Sequence, residues 1–353
     1  MKFSPVFLTS ISIIALVMIL FDSSSRLKLK TFDTLSFKAL KLSSIFMWYN
    51  AILLPLPLLL IYGVYAETLM GQVILALVFA TLISATDSVS VMVLLGTMKN
   101  RVAKLLEVES IINTPLAIII PFMLIDLFEK LKGEMAISTF LLDQIFPFIA
   151  QLVVGIGSGV FIGIIIFKLM RKHYSEQLSP VALITAALLT YIIAENLEGS
   201  GVLAVVSLGL FFGTISIKQK ETLKEFSSMF SNSLEILVFI LIGFMVNIPL
   251  TLSFFLKSLI LFIIYLIIRF FAVHLAFRNT YSLNEKIFMS LNVSKGIAVA
   301  VVAFTLMTKN IPGIDSLLQL ILVFMVYSIA VATIAEKFAF KLLHPSKIHK
   351  KNI

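Results

Sequence analysis

Hydrophobic residues along this chain gather into long blocks, and most of the polar residues fall in the short stretches between them. The blocks run roughly over 5–21, 44–62, 69–97, 103–127, 143–169, 179–196, 200–216, 230–248, 252–276, 283–308 and 314–340. Most reach the ~20 residues that a helix needs to cross a bilayer, and none shows the alternation of a ~10-residue barrel strand. Lipid offers the backbone no hydrogen bonds, so the spanning elements must be helices. The pattern predicts an all-α, polytopic membrane protein with about 11 transmembrane helices. No polar block is large enough for a second domain, so residues 1–353 read as one membrane domain, closed by a basic tail over 341–353.

Two blocks contain residues that lipid would reject. The stretch "ATDSVSVMVLLGTMKNRVAKLLEVESIINTPL", residues 85–116, sets Asp87, Glu109, Ser110, Asn113 and Thr114 among apolar neighbours. A straight helix over 69–97 would be roughly 43 Å long at ~1.5 Å per residue, against a hydrocarbon core of ~30 Å. A break is expected at "ATDSVS", where Thr86, Ser88 and Ser90 compete with the helix for its own backbone. Unwound backbone persists at membrane depth only when it is buried in protein or lines a cavity. An ionised aspartate there costs ~2.5–3.5 kcal/mol on insertion scales, which makes Asp87 a site candidate. Its alternative role is to cap the second half-helix. On the next block Ser110, Asn113 and Thr114 share one helical face by their i, i+3, i+4 spacing, and Glu109 sits beside it. Taken alone, that face serves equally well as helix glue or as a ligand set.

Composition agrees with the block pattern: 59% of residues are hydrophobic, 13% are charged, and the mean hydropathy is +1.07. The net charge of +9 is explained by topology, without nucleic acid, because the basic residues collect in alternate loops. One set holds Arg26, Lys28, Lys30, Lys38 and Lys41, then Lys99, Arg101 and Lys104, then Lys168, Arg171 and Lys172, then Lys218, Lys220 and Lys224, then Arg278 and Lys286. The opposite set holds Lys130, Lys132 and Lys309, with Lys2 at the N-terminus. Positive loops stay in the cytoplasm, next to anionic lipid, which puts the N-terminus outside and the C-terminus in the cytoplasm of a cell-membrane protein. A cleaved signal peptide is a poor reading of the first block, because basic residues follow it at once.

The chain has no cysteine, His-Glu-x-x-His or Gly-x-Ser-x-Gly pattern, which argues against an intramembrane enzyme. "EGSGV" at 198–202 reads as a helix start with close packing, and His274 as a packed or lipid-interface histidine. The methionines and phenylalanines are spread through the blocks as lipid-facing bulk. No nucleotide-binding pattern appears, so no cofactor is expected and an ion gradient is the expected energy source.

Together, "ATDSVSV" and "LEVESIINTPLAI" resemble the core of NhaP-type sodium/proton antiporters of the monovalent cation:proton antiporter superfamily. There the motifs read Thr-Asp-Pro and Glu-x-Glu-Ser-x-x-Asn-Asp-Pro. Further matches follow in order: "ALVMILFDSSSRLKL", "YIIAENLEGSGVLAVVSLGLFFG", Arg269 and "SLNVSKGIAVAVVAF". The resemblance covers nearly the whole chain. It implies an inverted-repeat transporter fold with two broken helices, and a homodimer. Carried over residue by residue, it implies that Asp87 binds cation and proton alternately, with Na⁺ held by Asp87, Ser110 and Thr86. Asp22 matches an acidic residue facing the ion site, and Asn113 the first member of the Asn-Asp pair. Glu109 and Arg269 match an intramembrane ion pair, and Lys295 stands where arginine is usual in the second broken helix, with Gly296 suiting the break. The chain departs from the pattern in three ways: the Asp after Asn113 is Thr114, the proline after Asp87 is Ser88, and the sequence begins without the two helices that usually precede the one ending at Asp22, as expected of either a truncated start or a shortened relative.

The chemistry suits exchange, since a desolvated carboxylate titrates nearer neutrality and trades a proton for a cation. Hard oxygens suit Na⁺, with Li⁺ and K⁺ left open. The resulting expectation is a secondary transporter exchanging Na⁺ for H⁺ by alternating access. A transport-inactive regulatory paralogue and a passive cation channel are the alternatives.

Overall fold

A computed structural model describes residues 4–26, 34–63, 68–86, 100–130, 137–245, 248–308, 311–339 and 343. Among them every regular element is a helix: α1 (Pro5–Ser25), α2 (Thr34–Leu53), α3 (Pro55–Tyr62), α4 (Leu69–Leu82), α5 (Arg101–Lys130), α6 (Ile137–Lys172), α7 (Leu178–Asn196), α8 (Gly201–Thr214), α9 (Lys220–Met245), α10 (Leu252–Ala276), α11 (Leu283–Leu291), α12 (Ile297–Thr308) and α13 (Ile314–Lys337). Eight helices among the described residues are long and apolar enough to cross a membrane, with α2 and α3 together forming one of them. Pro55 and Pro57 lack N–H donors, but Leu54 N–H still reaches the Asn50 carbonyl and Leu58 N–H the Leu54 carbonyl, so the chain bends there and goes on.

Several helices run past the apolar blocks that predicted them. α2 begins at Thr34 and α9 at Lys220, each about ten residues before its block. These first turns are amphipathic, not uniformly apolar: Ala39 and Leu42 on α2 and Leu223 on α9 are buried, while Lys38, Lys41, Glu221 and Glu225 are exposed. A reading based on unbroken hydrophobicity therefore starts each helix where the membrane starts.

α1 runs through the middle of the bundle and packs against α8, α9 and α12, while α6 covers α8 from outside. Gly209 of α8 lets that helix cross α1 at Ser24, where a Cβ would collide with the Ser24 hydroxyl. α6 turns Phe146, Val153 and Phe161 outward, as a lipid-facing helix should. The main apolar core lies between α1, α4, α8, α10, α12 and α13. A smaller cluster joins Ala39, Val102, Phe277, Tyr281, Phe288 and Leu343 at one end of the bundle.

Two helical blocks are interrupted. α4 stops at Leu82, the bonds of Ser84 N–H to Thr81 O and Ala85 N–H to Leu82 O tighten the last turn, and Ala85 and Thr86 have no regular structure. The Thr81 and Ser84 hydroxyls bond carbonyls one turn back, at 2.7 and 2.6 Å, and this competition favours the stop. Asp87, Ser88 and Ser90 lie outside the described residues. The second interruption separates α11 from α12 over residues 292–296, which include Lys295 and Gly296. α11 starts with a reciprocal capping box between Ser282 and Glu285.

Candidate ion site

Where α4 unwinds, its carbonyls lose their helical partners in an apolar interior and must find other donors. Side chains from three elements supply them. Asn50 of α2 donates to the Ala80 carbonyl at 2.5 Å, and Asn113 of α5 donates to the Ser84 carbonyl at 2.6 Å. Thr114 shares its hydroxyl proton between the Thr86 carbonyl at 3.1 Å and the Ser110 carbonyl at 2.8 Å. Lys295, from the second interruption, extends its Nζ to the Ala85 carbonyl at 2.8 Å and also to the Tyr265 hydroxyl. One lysine side chain thus ties the two unwound segments together.

Not every polar atom here is used. Among the described residues Thr86 Oγ1, Asn113 Oδ1, Asn50 Oδ1 and Ser294 Oγ are buried without a hydrogen-bond partner. A buried oxygen left unpaired forfeits on the order of 1–3 kcal/mol, so such a group calls for an explanation. Thr86 Oγ1 and Asn113 Oδ1 belong to residues that both engage the end of α4, one residue before Asp87 and one turn along α5 from Ser110. Ser110 is fully buried, and its hydroxyl donates to the Glu107 carbonyl at 2.8 Å, leaving its lone pairs to accept.

Glu109 and Arg269 meet nearby through a two-pronged pairing, Nη1 to Oε1 and Nη2 to Oε2, both at 3.0 Å. The side chains are 1% and 0% exposed. The guanidinium lies over the Phe46 ring, 4.5 Å from its centroid. Tyr265 stands one turn before Arg269 on α10, so the pair and Lys295 form one buried polar group linking α5, α10 and the second interruption. The Lys295 N–H in turn donates to the Ser328 hydroxyl of α13 at 3.0 Å.

Of the residues singled out from sequence, Thr86, Asn113, Thr114 and Ser110 gather at the end of α4, with Lys295 joined to them and Gly296 beside it. Glu109 contacts Arg269. Asp22 is held elsewhere: its carboxylate accepts from Arg26 at 2.8 Å, and Arg26 also donates to Ser228 of α9 at 2.8 Å. Among the described residues no hydrogen bond joins Asp22 to the α4 cluster. Sequence reasoning passed over Asn50, Tyr265 and Ser294. Asn50 carried a usable signal, a lone amide in an apolar block, and Ser294 stood next to Lys295 in the polar run "SLNVSKG". Tyr265, one aromatic among many in 252–276, carried none.

The profile of the family described as "Sodium/hydrogen exchanger, transmembrane" matches residues 3–341. The chain belongs to that family. Among curated relatives of this chain is the "K(+)/H(+) antiporter NhaP2" of Shewanella sp. (strain ANA-3), 26% identical over 319 residues, which span 86% of this chain and 52% of the relative. A second, the "Probable Na(+)/H(+) antiporter 2" of Methanocaldococcus jannaschii, is 29% identical over 192 residues, or 50% of this chain and 44% of its own. The chain thus spans about half the length of the curated relatives it matches. The solved structure of the sodium proton antiporter MjNhaP1 from Methanocaldococcus jannaschii at pH 8 has the same fold, with a TM-score of 0.74, 19% identity, and coverage of 97% of this chain and 88% of that one. The chain is therefore a multi-pass membrane protein with the fold of that antiporter.

Proposed function

We propose that the protein exchanges a monovalent cation for H⁺ across the cell membrane by alternating access, with Na⁺ as the first candidate. The observation that carries this reading is the pair of buried, unpartnered oxygens, Thr86 Oγ1 and Asn113 Oδ1, at unwound backbone one residue before Asp87. Hard neutral oxygens beside a carboxylate suit a small alkali cation, and they hold it only while the carboxylate is ionised. A proton on Asp87 and a cation at Asp87 then exclude one another. That exclusion couples the two fluxes, and a proton gradient drives the cation the other way.

In this reading Asp87 is the exchanging carboxylate, with Thr86, Ser110 and Asn113 as neutral ligands. Thr114 and Lys295 set the path of the unwound backbone by occupying its carbonyls, and Glu109 with Arg269 keeps α5 and α10 in register. The names of the relatives, which include both Na⁺ and K⁺ antiporters, support cation exchange and leave both cations to be tried. The arrangement of basic loops supports a cytoplasmic C-terminus and an outward N-terminus. Resemblance to the NhaP type supports a homodimer.

The test is proton flux in reconstituted liposomes on addition of Na⁺, Li⁺ or K⁺, comparing wild type with Asp87→Asn. Wild type should move protons when a cation is added, and the variant should insert but stay silent, because an amide neither releases a proton nor balances a cation. Equal flux in the two would move the site elsewhere. One observation favours a second reading, a transport-inactive paralogue: position 114 carries a hydroxyl committed to the Thr86 and Ser110 carbonyls, where the family has a carboxylate. Silence of the wild type together with flux in Thr114→Asp would select it.

A further inference from the structure

The first carbonyl that α4 gives up is that of Ala80. Ser84 N–H, which would close a regular helical turn onto it, pairs with the Thr81 carbonyl at 3.2 Å instead. Asn50 of α2 takes that place, with Nδ2 at 2.5 Å from the Ala80 oxygen. Four residues on, which is about one turn, Asn113 of α5 does the same for the Ser84 carbonyl at 2.6 Å. A carbonyl only accepts, so each amide must present its nitrogen there and turn its oxygen away. Both side chains are fully buried, and among the described residues neither Oδ1 meets a donor.

The rest of α2 fixes where Asn50 belongs. Ser43, Phe46, Asn50 and Leu54 recur at three- and four-residue intervals, which sets them on one helical face, and all are fully buried. Along that face the Ser43 hydroxyl lies 3.5 Å from the Glu109 carbonyl, the Phe46 ring lies against the Arg269 guanidinium, and Asn50 reaches α4. The face therefore looks onto the same polar interior as the Glu109–Arg269 pair and the end of α4. An amide kept only to join α2 to α4 would need its nitrogen alone. It would still bury an acceptor with nothing to accept, an arrangement that native interiors avoid. Two amide oxygens cannot satisfy each other, since neither donates. A cation answers both at once, because hard oxygens are what it needs.

We propose that Asn50 is a specificity-determining residue: its Oδ1, together with that of Asn113, forms a neutral stop for a monovalent alkali cation beside the Asp87 ligand set. The nitrogen of the same side chain is its positioning half, because it holds the end of α4 in place while the oxygen binds. A stop without charge discriminates among cations by their size and by the oxygens it offers them. Asn113 belongs to both places, so a cation moves from one to the other without giving up that oxygen. The part this plays in transport rests on the exchange reading, whereas the binding itself does not need transport.

Two measurements on the same purified proteins test this. The first is the thermal unfolding midpoint titrated with NaCl, LiCl and KCl against choline chloride at constant ionic strength. The second is the half-saturating concentration of each cation for proton flux in liposomes. Asn50→Leu, which keeps the bulk and removes both polar atoms, should raise the half-effective concentration of the cation that stabilises wild type most by roughly three- to ten-fold, the worth of one neutral polar contact. The three cations should shift unequally, so that their ratios change. Asn50→Thr, which keeps a neutral oxygen, should shift the same way by less, and it carries the test if Asn50→Leu folds poorly. In an Asn113→Leu background Asn50→Leu should add little, because the stop is already broken.

A lower unfolding midpoint in the Asn50 variants, with half-effective concentrations and cation ratios as in wild type, would leave packing or a bridging water to answer the two oxygens and overturn the inference. Shifts equal for all three cations would overturn it too, as would shifts that add in full to those of Asn113→Leu. If the midpoints respond as stated while wild-type liposomes stay silent, the neutral stop stands and the exchange reading falls. If wild type exchanges and the Asn50 variants leave the cation ratios unmoved, the reverse holds. A wild type that answers no cation in either measurement overturns both.

Discussion

Helix α5 carries two arginine–glutamate pairings eight residues apart, each with an aromatic ring beside the guanidinium. Glu109 takes both prongs of Arg269 from α10, with the guanidinium over Phe46. Arg101 reaches Glu285 of α11 from Nη2, to Oε1 at 3.0 Å and to Oε2 at 3.1 Å, and from Nε to Oε1 at 3.2 Å, with its guanidinium 4.8 Å from the centre of the Tyr281 ring. The chemistry is the same and the surroundings are opposite. Arg269 is fully buried, whereas the Arg101 side chain is 61% exposed. In the interior neither charge has water to return to, so each is held by the other. At the surface water competes for both, and side-chain entropy cancels much of the gain. The same pair of groups therefore carries different obligations: the inner pairing is a constraint on how α5 and α10 sit, and the outer one trims the end of the bundle.

The sharpest way to break this contrast is Arg269→Ala. It strands Glu109 in the interior and should cost ~3–5 kcal/mol, read as a large fall in unfolding midpoint in detergent. Adding Glu109→Gln should recover part of the loss, because the stranded charge is gone. Strictly additive losses in that double-mutant cycle would mean that the two do not interact.

A smaller effect is expected from Lys295→Met. The change keeps the length of the side chain but leaves the Ala85 carbonyl and the Tyr265 hydroxyl without their donor, costing about 1–3 kcal/mol for a buried acceptor. Cation-dependent proton flux should fall with it, since the unwound segment before Asp87 loses its tie to the second interruption. Full flux in a destabilised protein would reduce Lys295 to a packing role.

Glu285→Ala comes third. It removes the outer fork and also the capping box at the start of α11, a loss of about 0.5–2 kcal/mol that salt should not erase. Arg101→Ala, the mildest, removes the outer fork alone. It should cost ~0.2–1 kcal/mol at low ionic strength and less at high salt, when exposed pairs are screened. An Arg101→Ala effect as large as that of Arg269→Ala would end the comparison.

The same division governs what could be read in advance. Glu109 and Arg269 were paired in advance through the family resemblance, and each stands inside an apolar block, where lipid would not tolerate an unpaired charge. Arg101 and Glu285 were not, because a charge at a loop edge has many possible partners and no penalty for lacking one. The stop of α4 lay in the excess length of its block, whereas the hydroxyls that compete at the stop are those of Thr81 and Ser84, just before "ATDSVS", and among the described residues the Thr86 hydroxyl has no partner. The amphipathic starts of α2 and α9 were missed because their buried face is interrupted by lysine and glutamate. Asp22 was placed at the ion site by resemblance, whereas the partners that hold it among the described residues are Arg26 and, with it, Ser228 of α9.

By itself the sequence determined that this chain crosses a membrane many times as helices, because backbone in hydrocarbon has no other way to satisfy its polar groups. It also determined which polar residues need partners, because burial taxes each one separately. Which donor answers which acceptor was decided only in three dimensions. Asn50, Asn113, Thr114 and Lys295 reach carbonyls of one short segment from three different parts of the chain. Hydrogen bonds depend on distance and direction within a few tenths of an ångström, and sequence separation carries no information on that scale.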